Sequence, residues 1–123
     1  ERGVAGLSGM SEHDLAAAVA LTHSGMTPAE FRNIVRQWLA TARHPRFQRP
    51  FTELVYQPMI EVLSYMRSNG FKTYIVSGGG VDFMRVFTEE VYGVPPEQVI
   101  GSRGRVKFET RDGKATLVRE AAI

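Results

Sequence analysis

The chain contains no cysteine. Disulfides and thiolate metal ligands are therefore excluded, while the redox compartment is left open. Aspartate is also scarce: Asp14, Asp82 and Asp112 are the only three, and no two of them form an Asp-x-Asp pair. No apolar run approaches the roughly 20 residues that cross a bilayer, and no charged-then-apolar leader opens the chain. No membrane partner is expected, and the expected location is the cytoplasm, or the periplasm if a leader has been removed. Glu1 in place of methionine points to a processed or excised segment. There is no internal repeat and no low-complexity tract.

What is present fits one soluble globular domain: 43% of the 123 residues are hydrophobic and 23% are charged. The net charge of +2 is unevenly spread, with residues 57–98 acidic and residues 99–123 basic. Two basic clusters carry an aromatic, Arg43-His44-Pro45-Arg46-Phe47-Gln48-Arg49 and Arg103-Gly104-Arg105-Val106-Lys107-Phe108. That composition is the hint for nucleic acid. Both fall in loop or hairpin segments where charge simply solvates the surface, so nucleic acid is not the expected partner. The first cluster could also rim a pocket for an acidic substrate.

The first half is punctuated as helices. Ser11 to Asp14 has the form of a capping box, with Met10 and Leu15 placed as a staple and a helix of about three turns following. Thr27-Pro28-Ala29-Glu30 is a better box, with Pro28 at the first helical position and Met26 placed to staple onto Phe31. Phe31, Ile34, Val35, Trp38, Leu39 and Ala42 recur at helical spacing and define an apolar face, which predicts a helix to about Arg43 and a core role for Trp38. Two antiparallel helices joined by His23-Ser24-Gly25-Met26 make a small helical subdomain. His13, His23 and His44 have no ligand spacing and belong to caps or loops.

After Pro45 and Pro50 the pattern changes. Pro58 starts a helix that Asn69-Gly70 ends, with Met59, Ile60, Val62, Leu63 and Met66 on its buried side. A strand is predicted over Phe71–Val76, then a long helix from about Val81, with Phe83, Met84, Phe87 and Val91 inward and Gly93 closing it. Val99-Ile100-Gly101 is a second short strand, which makes a parallel βαβ unit. Asp112-Gly113 predicts a hairpin between Arg105–Glu109 and Ala115–Arg119.

Between the first strand and its helix stand Ser77, Gly78, Gly79 and Gly80. A hydroxyl at a strand's carboxyl end, a nest of glycine N–H groups and a helix dipole can together hold one phosphoryl group. The Walker loop is excluded because no lysine follows Gly80 before the helix. The dinucleotide fingerprint is excluded because Phe83 occupies the place of its third glycine. A plain glycine turn is the competing reading. Asp82 belongs to the first helical turn and should point away from a phosphate, and Glu89-Glu90 solvates an outer helix face.

The strand with Ser77-Gly78, the preceding helix from Tyr56-Gln57-Pro58-Met59 to Asn69-Gly70, and the segment Val91 to Ser102 resemble the second conserved motif of haloacid dehalogenase-type phosphohydrolases, in the phosphoserine-phosphatase-like branch. The resemblance implies an α/β fold: a partial Rossmann-like parallel sheet with a small α-helical cap, followed here by a C-terminal β-hairpin. It implies a division into a cap segment, 1–50, and a partial core, 51–123. It further implies that Ser77 and the Gly78 N–H bind the phosphate of a small-molecule phosphomonoester. Such enzymes also need an Asp-x-Asp pair carrying the nucleophile, a lysine, and acidic ligands for Mg²⁺. None of the three aspartates fits, and Lys114 sits beside a turn where solvent exposure explains it. The expectation is a phosphate-binding central part of a phosphatase, inactive alone, with the nucleophile and Mg²⁺ ligands outside this chain. The alternative is a complete, non-catalytic module that binds anions or nucleic acid.

Overall fold

The computed structural model describes Ser11 and residues 21–122. The first predicted helix, its Ser11 box and its Met10–Leu15 staple lie outside the described residues, apart from Ser11 itself and a last helical turn at Leu21 and Thr22. The elements in chain order are α1 (Pro28–Thr41), α2 (Gln57–Ser68), β1 (Ile75–Gly80), α3 (Val81–Met84), α4 (Thr88–Tyr92), β2 (Val99–Ser102), β3 (Val106–Arg111) and β4 (Lys114–Arg119). Single 3-10 turns stand at Phe51–Glu53 and Pro96–Gln98. The fold is mixed α/β, with β1 and β2 parallel and β3 and β4 antiparallel. The chain divides into two compact units, one formed by residues up to Phe31 with Arg103 onward, the other by Arg32–Ser102.

In the first unit, the capping box of α1 forms as its residues dictate. The Glu30 N–H donates to Thr27 Oγ1 at 3.2 Å, and the Thr27 N–H donates to Glu30 Oε2 at 2.6 Å. That backbone hydrogen bond, followed by the side-chain bond to Thr27, holds the Glu30 carboxyl below the ordinary glutamate range. Asp112 and Gly113 have φ of 50° and 74°. Positive φ at both central residues is the type I′ geometry, whose twist matches the two strands it joins. The Gly25 N–H donates to the Arg119 carbonyl and the Arg119 N–H to the Met26 carbonyl, both at 2.9 Å, so the loop before α1 runs along β4. The Arg119 guanidinium lies 4.2 Å from the Phe31 ring centroid, a cation–π contact.

In the second unit, Val81, Val94 and Val99 are fully buried, with Ile75, Met84 and Tyr92 packed around them. This small core holds β1 and β2 together from one side. The βαβ order is as expected, but two features differ. The strand predicted from Phe71 begins at Ile75, because β2 is four residues long and its first residue, Val99, pairs with Ile75. The long helix predicted from Val81 is two short ones: at Arg85–Phe87 the N–H groups of Val86 and Phe87 bond three residues back, to Phe83 and Met84. Phe87 then leaves helical geometry at φ −126° and starts α4. Aromatic and β-branched residues at 83, 86, 87 and 88 weaken a continuous helix there, and packing of Phe87 between Phe83 and Tyr92 completes the break. Gly93 ends α4 at φ 66°, as expected.

Helix α1 stops at Thr41, two residues before the expected end. Its buried residues are Phe31 and Val35, whereas Trp38 is 45% exposed, so the core role predicted for Trp38 is corrected to a half-covered one. Trp38 stacks on Phe51 at 5.2 Å and meets Phe83 at 6.0 Å. Helix α2 begins with Pro58 in its first turn and ends at Asn69-Gly70 as predicted, but none of its residues is buried. Met59 and Val62, expected inside, are exposed.

Candidate functional site

The register of β1 against β2 sets the geometry at Ser77. Val76 pairs with Ile100 and Gly80 with Ser102, with an irregularity in between. Ser77, Gly78 and Gly79 thus stand opposite Gly101 alone. Such a bulge takes residues out of ladder pairing and re-aims side chains, and it recurs next to active sites.

Two hydrogen bonds fix the bulge through a single peptide plane. The Gly79 N–H donates to Ser77 Oγ at 3.0 Å, and Ser102 Oγ donates to the Gly78 carbonyl at 2.8 Å. The Gly78 carbonyl and the Gly79 N–H belong to the same planar amide, so its two ends are held by two hydroxyls. Ser77 Oγ accepts in this bond, so its own proton is available to an incoming acceptor. Ser77 and the three glycines are exposed, so a ligand can reach them.

Gly101 makes the close approach possible. A Cβ there would stand 2.6 Å from the Gly79 carbonyl oxygen and 2.6 Å from Met84 Cε. Sequence reasoning missed Gly101 and Ser102 as parts of the site. A lone glycine inside a strand pattern is the available signal for such a bulge.

The nest and the helix dipole read from the sequence are corrected. None of Gly78, Gly79 and Gly80 has positive φ, and a nest needs alternating right- and left-handed residues. Gly80 is extended, at φ −65° and ψ 117°, and the helix after it has a single turn. What the structure offers in their place is an extended, bulged strand end with a presented hydroxyl.

The other candidates lie elsewhere. Lys114 opens β4 and is exposed. Asp112 sits at the hairpin turn. His44 Nδ1 accepts from the backbone N–H groups of Arg46 and Phe47, a loop-shaping role. Asp82 lies in a cavity wall with Arg32, Arg36 and Arg85. Asp14 and His13 fall outside the described residues. Among the described residues no three His, Asp or Glu side chains come together to hold a metal ion, so the described residues do not fit a Mg²⁺ site. Nor is any described helix long and apolar enough to cross a membrane.

The mixed α/β unit, with Ser77 inside its bulged first strand, is consistent with what the sequence matches. The chain fits the profile of the haloacid dehalogenase-like hydrolases over residues 2–122 and belongs to that family. Its function is accordingly of the hydrolase type. No curated protein matches the chain.

Proposed function

We propose that this chain is the phosphate-holding part of a phosphomonoester hydrolase of the phosphoserine-phosphatase-like branch. The observation that carries the reading is the bulge: Ser77 Oγ accepts from the Gly79 N–H and keeps its proton for a ligand, while Ser102 holds the Gly78 carbonyl. Ser77 and the Gly78 N–H donate to one non-bridging phosphoryl oxygen. Fixed donors aimed at charge that develops around phosphorus are the main contribution a protein makes to phosphoryl transfer.

The reacting carboxylate is the Asp of an Asp-x-Asp pair, and no such pair exists among Asp14, Asp82 and Asp112. We place that nucleophile, the lysine and the acidic Mg²⁺ ligands outside residues 1–123. The nucleophile attacks phosphorus as the ester P–O bond breaks, the leaving oxygen takes a proton from the second Asp, and water then hydrolyses the aspartyl-phosphate. Residues 1–50 serve as the cap segment and residues 51–123 as part of the core.

The test is phosphate release from an aryl phosphate by the protein that joins this chain to its Asp-x-Asp segment. Mg²⁺-dependent release with a trappable acyl-phosphate is expected. Metal-independent release, or none, contradicts the reading.

A further inference from the structure

Arg32 and Arg36 are one turn apart on α1, a spacing that puts both side chains on one helix face. With Arg85, which follows α3, they line a cavity of about 620 Å³ whose wall also holds Asp82, Glu89 and Glu90. That volume suits a small-molecule ligand. Neither Ser77 nor Gly78 belongs to its wall.

The three guanidiniums are under-used. Among the described residues the ion pairs are Arg49–Glu53, Lys107–Glu109 and Arg111–Glu109, so none involves Arg32, Arg36 or Arg85. Arg36 gives one N–H to Asn33 Oδ1 at 3.1 Å. Arg85 gives one to the Val99 carbonyl at 3.1 Å, and its Nε is buried without a partner among the described residues. Each guanidinium has five donors and no acceptor.

Glu89 and Glu90 share the cavity and enter no ion pair among the described residues, whereas Asp82 is engaged. The cavity thus carries charges of both signs. We propose that it binds a small molecule through one oxyanion, a carboxylate or a phosphate group, held by Arg32, Arg36 and Arg85. Paired arginines match the two oxygens of such a group in bidentate geometry. Glu89 and Glu90 act against this binding by like charge.

The test is calorimetric titration of the 123-residue chain carrying Ser77→Ala, at low salt, with succinate and separately with inorganic phosphate. The Ser77→Ala background removes the strand-end hydroxyl from the readout, so the result does not depend on the proposed hydrolytic role. Saturable one-site binding is expected for at least one anion, and which one binds assigns the group. Arg32→Ala and Arg36→Ala should each weaken it about tenfold, the loss of one charge-assisted contact. Arg36→Lys should retain part of the affinity, and Glu89→Gln with Glu90→Gln should tighten it. Circular dichroism confirms that each variant is folded. Absence of binding by both anions, or binding that the arginine and glutamate changes leave unaltered, overturns the proposal.

Discussion

Gly101 and Thr88 show what single residues do for packing. A Cβ on Gly101 would press on the Gly79 carbonyl and on Met84, so Gly101→Ala must push β2 away from the bulge. Overpacking of this kind costs about 1–3 kcal/mol, and chemical denaturation should show a loss in that range. Thr88 is fully buried, and its hydroxyl has no partner among the described residues. Thr88→Val keeps the shape and removes the unsatisfied group, so a gain of about 1 kcal/mol is expected in the same assay. A loss on Thr88→Val would mean that the hydroxyl is satisfied in solution.

At the scale of elements, α1 depends on its capping box. Thr27→Ala should cost about 1 kcal/mol, the usual value of a lost N-cap, read as a lower midpoint in thermal unfolding. Glu30 adds a pH dependence with a definite sign. Its folded pKa lies below the ordinary glutamate value because the Thr27 N–H and hydroxyl side bond to it. The contribution is complete above the unfolded pKa and is lost as pH falls through the lower folded one. Melting midpoints taken from neutral pH downward should therefore fall across the acid side of the glutamate range. In Glu30→Gln, which keeps an acceptor but cannot titrate, that part of the fall should be absent.

These same elements show what could be read from residues alone. The Thr27 box, the Asn69-Gly70 stop and the Asp112-Gly113 turn were legible because each is a local pattern with one favoured geometry. The start of β1 at Ile75 was not, since it depends on where β2 begins to pair. The bulge was not legible either, because register belongs to two strands and three glycines in sequence suggest a nest equally well. Ser77 was singled out because it follows the predicted strand, whereas β1 runs on past it to Gly80. The cavity of Arg32, Arg36 and Arg85 was missed because its walls come from segments about fifty positions apart, and only the i,i+4 arginine pair could have hinted at it.

At the scale of the whole molecule, the second unit leaves much of its parallel sheet open. Val76 is 75% exposed and Ile100 54% exposed, although parallel strands are ordinarily covered on both faces. Met59 and Val62 on α2 are exposed too. Open apolar faces of this kind favour the proposal that the hydrolase's remaining core, with its nucleophile, packs beside these strands. On that view the 123-residue chain alone releases no phosphate from an aryl phosphate, a result that a standard phosphate assay checks.

The most direct test of the account is the turnover number of the nucleophile-bearing protein with Ser77→Ala. Loss of one preorganised donor to the transferring phosphoryl group should lower kcat by roughly a hundredfold or more, with KM little changed. An unaltered kcat would contradict the assignment of Ser77 as the residue that holds the phosphate.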